Sequence, residues 1–553
     1  DGRAALLDAG LVPVVCRLVE TSDNELVLER SLATVWAFAG SEEGRGAVLE
    51  ANGIQAILSL LFTDSHAILD NVAMALGLLT RDPRVKAAMP QVKGMEKLVA
   101  CLLHPSASIR TKIAGAIWNC GADKTNRADL LRLGAVPLLG ELLSDEMAQE
   151  NAAGALWNLA IEEPGKRAIL EYGAVHTLVG LLESPNDAVV ENATGIMWNC
   201  SSTVENRAAM RKLGALPRLV SHMTNAKPEI RENASGAMRN LVINDQNKVA
   251  FREAGGIELI VDNMDSASNT LLEKWVSTLW ILTVTPENKH AIRLAGGLPK
   301  LLSLLDSRDT PIGVREKALG ALRNCSGVAE NVQPLYEAGA VERMLRAAKI
   351  FGAVARPQPH CSLQVRENLA GMLLHVGRHD RVATGVAGAL HFLVDLLDDP
   401  RHGSDSNDAV TATAAKALAS VVASTPENRN LMHKLGGVPK LVALVGEARA
   451  TNSTFVLYEC LLAIKHSTTM HDENLMALLG QRGFVQTLVD LVRSPPGGAG
   501  SMHADDVARE AVLCIRNICA SAQGASEVRS ANGAEVLKRV HETSQSDALR
   551  IAC

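Results

Sequence analysis

The sequence predicts an all-α protein built as a solenoid of near-identical helical units, and three observations carry that prediction. One phrase recurs: Ala116-Ile117-Trp118-Asn119-Cys120, Ala155-Leu156-Trp157-Asn158-Leu159, Ile196-Met197-Trp198-Asn199-Cys200 and Ala237-Met238-Arg239-Asn240-Leu241. Its Asn recurs every 39 to 41 positions, a period that marks stacked supersecondary units rather than a globular core. A second mark, Gly followed by a short apolar helix, recurs thirteen times, at Gly10, Gly53, Gly94, Gly134, Gly173, Gly214, Gly255, Gly296, Gly339, Gly388, Gly436, Gly483 and Gly533. Thirteen marks give roughly twelve complete units and two partial ends. Third, apolar residues inside the units repeat three and four apart, as in Val189, Ala193, Ile196, Met197 and Cys200, which is the buried stripe of a helix.

Each element has its own signal. Gly is suited to ending a helix in a left-handed conformation, and Pro two or three residues later, as at Pro13, Pro137, Pro217, Pro299 and Pro439, suits the first turn of the next helix. In the unit beginning at Glu163 a short helix is expected over Lys166 to Tyr172 and a second over Ala174 to Leu182. The turn Glu183-Ser184-Pro185-Asn186-Asp187 then leads to a longer third helix over Ala188 to Ser201. Early units are weaker, with Ala37 beside Trp36 and then Leu78 in the Asn slot. After Ala340 the spacing grows from about 41 to between 47 and 50 residues. The additions, at 351–362, 398–407 and 494–501, are rich in Gly, Pro and Ser and read as surface loops. Each lies between two halves of one unit, so they are not linkers. One domain over 1–553 is expected, with regular units over about 40–340 and longer loops over about 341–553. Leu6 to Leu18 already reads as the middle of a unit and neither end has a polar capping helix, so a longer parent sequence is expected.

Composition narrows the function classes. Hydrophobic residues make up 47% of the 553 residues but aromatics only 3%, which suits thin helices packed closely. No apolar run reaches the roughly 18 residues of a membrane span, and Asp1-Gly2-Arg3-Ala4 has no signal-peptide character, so a soluble, intracellular protein is expected. Of the ten cysteines, Cys120, Cys200 and Cys325 directly follow the Asn slot, where other units have Leu159 or Leu241, and so behave as small hydrophobes. No Cys-x-x-Cys occurs and no metal or other cofactor is expected. A net charge of −6 and a pI near 6.2 speak against a general nucleic-acid surface. No phosphate loop, nucleophile elbow or His-Glu-x-x-His is present, and His375, in an Asn slot, reads as a groove or core substitution. The expected function is therefore not enzymatic. Cytoplasm is the expected compartment, with nucleus or cytoskeleton as alternatives.

The Gly-Ala-[Val/Leu]-Pro corner, the Glu-Asn-Ala-x-Gly-Ala-[Leu/Met]-[Trp/Arg]-Asn-[Leu/Cys] third helix and the Glu-Asn-[Arg/Lys] start of the first helix at Glu205-Asn206-Arg207, Glu287-Asn288-Lys289 and Glu427-Asn428-Arg429 together resemble armadillo repeats. The resemblance covers essentially the whole chain and is most specific in the second to eighth units. It implies a right-handed superhelical solenoid of about twelve three-helix repeats. Nuclear-import adaptors of the family place Trp four residues before Asn, where this chain has Gly or Ser277. The Trp-Asn and Arg-Asn phrasing is closer to β-catenin, adenomatous-polyposis-coli-type and related scaffold and ciliary armadillo proteins.

Stacking such units sets the third helices side by side along an inner, concave face. On that face Asn151, Gly154 and Asn158 share one edge, as do Asn192, Gly195 and Asn199, and Asn233, Gly236 and Asn240. An amide offers two donors and an acceptor, so such a row can satisfy the backbone of an extended peptide. In armadillo proteins the mid-helix Asn holds the ligand backbone, and the resemblance carries that role to Asn119, Asn158, Asn199, Asn240 and Asn324. The competing role is bonding to neighbouring helix ends, or capping for Asn151, Asn192 and Asn233. Trp118, Trp157, Trp198 and Trp280, replaced by Arg239 and Arg323 in other units, read either as ligand-contacting rings and cations or as packing between repeats. Gly115, Gly154, Gly195, Gly236 and Gly320 each cost roughly 1 kcal/mol against Ala inside a helix, so close packing or an open groove floor must compensate. Arg231, Arg315 and Arg366 with Arg239 and Arg323 would form a basic run for acidic ligands, unless they pair with Glu232, Glu316 and Glu367. The expected function is a scaffold that binds extended segments of partner proteins. The alternatives are a nuclear-import cargo adaptor, the substrate-binding part of a ubiquitin ligase, and a structural axonemal protein.

Overall fold

The computed structural model describes residues 2–307, 309–351, 362–376, 385–397, 405–423, 425–496, 504–544 and 546–553. Among the described residues every regular element is a helix and none is a strand. The chain divides into two compact units, Asp1–Asn263 and Met264–Cys553. No single described helix is long and apolar enough to cross a membrane.

In the first unit the repeat after Ala160 shows the motif. Its helices are Glu163–Tyr172, Ala174–Leu181 and Asp187–Cys200. The first begins three residues before the sequence expectation because Pro164 presets the first turn and Gly165 lies against the Leu159 carbonyl, where a Cβ would collide. The third is capped by Asn186, whose side chain accepts from the Ala188 N–H at 2.9 Å. Its stripe of Val189, Ala193, Ile196, Met197 and Cys200 is buried. Third helices of this unit, Glu25–Ala39, His66–Leu79, Ala107–Cys120, Gln149–Leu159, Asp187–Cys200 and Pro228–Leu241, contact one another in succession. The second unit repeats the arrangement with Asn269–Leu282, Ile312–Ser326, Leu363–Val376, Asp405–Val422, Thr454–Thr468 and Ala504–Ile518.

The corners divide their work between two residues. Gly10, Gly134, Gly173, Gly214, Gly255, Gly296, Gly339, Gly436 and Gly483 take the left-handed conformation, with φ from +64° to +84°. At three corners it moves back one residue, to Asn52, Lys93 and Asn532. Gly53, Gly94 and Gly533 then serve close packing: a Cβ on Gly53 would stand 2.7 Å from Cys16 Sγ, and one on Gly94 2.5 Å from Met89 Cε. Gly388 is not a corner. It lies inside the helix Gly385–Leu396, where its missing Cβ would stand 2.8 Å from Leu345 Cδ1 of the preceding repeat. The expected loops at 351–362, 398–407 and 494–501 fall mostly outside the described residues, but Asp405, Ser406 and Asn407 begin the helix Asp405–Val422 rather than lying in a loop.

Neighbouring repeats are tied together through the first helices by buried amides. Asn126, Asn206 and Asn247 donate to the carbonyls of Lys86, Lys166 and Arg207, one repeat back, at 2.9, 3.3 and 3.3 Å. In the second unit Asn474 donates to Arg429 at 3.0 Å. Each such bond contributes about 1 kcal/mol net, and a larger amount is lost when a buried partner is left unpaired.

Candidate functional site on the face of the third helices

The signature Asn side chains stand half-buried near the ends of the third helices, and each reaches back to the preceding third helix. Asn158 Nδ2 donates to the Trp118 carbonyl at 2.8 Å, and Asn199 Nδ2 to the Trp157 carbonyl at 3.5 Å. Asn119 donates to the Gly77 carbonyl at 3.0 Å and the Thr80 hydroxyl at 3.2 Å, and Asn240 to the Trp198 carbonyl and the Ser201 hydroxyl at 3.5 and 3.1 Å. In the second unit Asn324 donates to Thr283 Oγ1 at 3.0 Å. Bonding to the adjacent helix thus takes donor capacity, while no described residue donates to the Oδ1 of these five amides. Each position therefore keeps an acceptor, and Asn158, Asn199 and Asn324, with one Nδ2 bond each, keep a donor as well.

The upstream amides differ. Asn151, Asn192 and Asn233 donate to the carbonyls of Thr111, Glu150 and Glu191 at 2.9, 3.1 and 3.2 Å. Asn192 and Asn233 are only 3% and 5% exposed, which commits them to holding repeats together, whereas Asn151 remains half-buried.

The glycines four residues before each Asn are explained by the rings. The indole of Trp118 lies over Gly154, that of Trp157 over Gly195 and that of Trp198 over Gly236, so closely that a Cβ on any of these glycines would collide with it. Trp280 covers Gly320 in the same way, with Nε1 2.8 Å from where a Cβ would sit, and Arg323 covers Gly371 with Nε at 2.9 Å. The rings therefore pack between repeats while one edge stays open: Trp118, Trp157 and Trp198 are half-buried and Trp280 is exposed. Arg239 is exposed as well.

The basic run is not displayed as the sequence suggested. Arg315 and Arg366 are buried. Arg231 donates to the Asn225 carbonyl at 2.8 Å and Arg315 to the Ser307 carbonyl, each tying down the turn before its own helix. Arg323 pairs with Glu367 of the next third helix at 3.0 Å. In the second unit, pairs also join Lys317 to Glu273, Lys416 to Glu459 and Lys465 to Glu510. The second unit carries a further amide in this slot: Asn517, in Cys514-Ile515-Arg516-Asn517-Ile518, donates to the Lys465 carbonyl at 2.9 Å. Its Arg-Asn phrase was the signal, hidden by the longer spacing around it. His375 takes the Asn slot and its Nδ1 lies 3.0 Å from Ser326 Oγ.

Burial pushes the thiols of Cys120, Cys200 and Cys325 up to about 12. Among the described residues no three His, Cys, Asp or Glu side chains converge as a metal site.

Fold and face together define an α-helical repeat scaffold of the kind that binds other proteins. Residues 123–161, 163–202, 203–243 and 285–327 match the model of the armadillo/beta-catenin-like repeat, so these four segments are armadillo repeats. It is similar to outer dynein arm-docking complex subunit 2 of Bos taurus, at 26% identity over 145 residues, which are 26% of this chain but only 14% of the bovine protein. A structure from work on a phosphorylation switch controlling the interaction between cadherin and beta-catenin matches with a TM-score of 0.75 at 17% identity, over 91% of this chain and 98% of that one. An engineered protein matches with a TM-score of 0.57 at 24% identity, over 83% and 99%. These two likenesses concern the fold alone.

Proposed function

We propose that the chain is a non-enzymatic scaffold whose third-helix face holds extended segments of partner proteins. The observation that carries this reading is the row of half-buried amides Asn119, Asn158, Asn199 and Asn240 in the first unit, with Asn324 in the corresponding place in the second. Each has an Oδ1 to which no described residue donates, and ring or guanidinium edges lie beside them. An extended segment arrives with backbone N–H groups lacking internal partners, and a row of acceptors meets that need. Trp118, Trp157, Trp198, Trp280, Arg239 and Arg323 supply the flanking contact surface in this reading. Asn151 borders the same face, while Asn192 and Asn233 act indirectly by fixing helix spacing. Third helices and their corner marks recur through both units, at longer spacing after Ala340, which supports reading 1–553 as one run of repeats.

The test compares Asn158→Ala/Asn199→Ala with Asn192→Ala/Asn233→Ala in capture of partners from cell extract, with thermal melting measured alongside. Loss of partners in the first pair at near-normal melting supports the groove. Equal capture by wild type and the first pair removes it.

A second reading, a structural part of an axonemal assembly, is favoured by the likeness to the bovine docking-complex subunit. It sets the scaffold in a cytoskeletal compartment. A tagged full-length protein absent from cilia in ciliated cells would exclude it.

A further inference from the structure

Within the first unit the row of rings along the third helices is interrupted at Gly77. Trp118, Trp157 and Trp198 each cover a glycine of the next helix. The corresponding pair one repeat earlier is Gly77 facing Gly115, so the receiving glycine is kept while the chain supplies no ring. A Cβ on Gly77 would meet nothing within 4 Å, and the atoms nearest one on Gly115 would belong to the Asn151 carboxamide, with Nδ2 at 3.1 Å and Oδ1 at 3.5 Å, and to no ring. An open cavity of about 340 Å³ results, bounded by Trp36, Met74, Gly77, Gly115, Trp118 and Asn151. Trp36, at one side, is 40% exposed.

We infer that this slot receives an aromatic side chain, an indole by preference, presented by an extended acidic segment of a partner protein. The inference rests on the reading of the face as a peptide groove and names what one position in it selects. The same register takes an indole three times within this unit, so the glycine floor and helix spacing are already suited to that shape. The polar requirement is also met. Asn151 spends its Nδ2 on the Thr111 carbonyl at 2.9 Å, leaving Oδ1 able to accept from an indole N–H, which can only donate. Glu150 offers a second acceptor at the wall. Charge sets the flanking residues. Lys112 is already paired with Asp70, but Arg81 lines the slot, is exposed and has no ion pair among the described residues. A carboxylate beside the incoming ring complements it.

The experiment uses the whole chain and two probes. The first is N-acetyl-tryptophanamide, followed by saturation-transfer NMR with N-acetyl-leucinamide as control. The second is a fluorescein-labelled peptide with one Trp between Asp residues in a Gly-Ser context, followed by polarisation. Gly77→Trp supplies the missing ring, and the open space above Gly77 lets it fold as the neighbouring repeats do. Gly77→Ala adds one methyl group to the same space and controls for loss of glycine. Expected are saturation transfer to the indole probe in wild type but not in Gly77→Trp, and at least a tenfold weaker peptide affinity in Gly77→Trp against less than threefold in Gly77→Ala. Equal binding of either probe to wild type and Gly77→Trp overturns the slot. If that peptide binds equally to both yet is lost in Asn158→Ala/Asn199→Ala, the groove survives and only the slot falls. If the indole probe marks the slot but neither this peptide nor any partner is held, the groove reading fails instead, and with it the inferred occupant.

Discussion

Replacing Gly195 by Ala sets two opposed effects against each other, and the structure fixes which wins. Ala is favoured over Gly by about 1 kcal/mol inside a helix such as Asp187–Cys200. Here, however, the new Cβ would collide with the Trp157 ring, with Cζ2 2.7 Å away. Forcing extra volume into a packed contact costs typically about 1–3 kcal/mol. Gly195→Ala should therefore be neutral to destabilising by about 2 kcal/mol in the wild-type background. Where Trp157→Ala has removed the ring, the same change should stabilise by about 1 kcal/mol. The coupling between the two sites is then about 1–3 kcal/mol, well above the few tenths expected of independent positions. A long repeat array need not unfold in one step, so the measurement is amide hydrogen exchange of the helix Asp187–Cys200 across the four members of the cycle. If Gly195→Ala raises protection equally with and without the ring, the account of these glycines is wrong.

Further outcomes follow from other contacts. Asp82 accepts from the Arg84 N–H at 2.8 Å at the start of the helix Pro83–Ala88, and Asp82→Ala should cost about 1–2 kcal/mol, read as lost exchange protection around Val85. The hydrogen bond from the Arg84 side chain holds the Asp82 carboxyl below the usual carboxylate range. Its contribution is thus complete above pH of about 4 and drains away as pH falls through the lower folded value, a dependence that Asp82→Asn should remove from the acid melting curve. Glu510 is buried against Lys465 at 2.6 Å, so Glu510→Gln leaves a mostly buried ammonium without its carboxylate and should cost about 3 kcal/mol, measured by urea unfolding of the second unit's helices. Cys120, Cys200 and Cys325 are buried thiols raised to about 12, and at pH 8 they should stay unmodified by Ellman's reagent until unfolding, while exposed Cys519 reacts in the folded protein.

The fold was legible because its signals are local. A corner such as Gly134-Ala135-Val136-Pro137 or a stripe such as Val189, Ala193 and Ile196 lies within one turn or one helix. Gly388 misled because glycine serves both a left-handed corner and a close helix contact, and only the neighbour Leu345 tells which. Which residues share the third-helix face was legible, and the bonds they make were not. That Trp118 covers Gly154, or that Asn158 gives its N–H to the Trp118 carbonyl, depends on how adjacent third helices are offset. No periodicity within a single helix sets that offset. Arg315 and Arg366 read as surface cations from their spacing, yet the turn carbonyl at Ser307 and the depth of the Leu363–Val376 helix draw them inward. Leu78 marked a weak copy of the phrase, and the meaning of Gly77 beside it comes from Gly115 across the stack.

The pairing of a ring with the glycine that follows it has a consequence for how such chains can be edited. A module cut from one corner glycine to the next carries the glycine that must accept its predecessor's indole, and an indole that its successor must accept. Grafted beside a foreign neighbour, it clashes at one seam and leaves a hole at the other. Duplications and designed insertions should therefore be tolerated best when the seam falls where no side chain covers a glycine of the next helix, as at Gly77 or Arg239, because there the edge makes the weakest demand on what comes next.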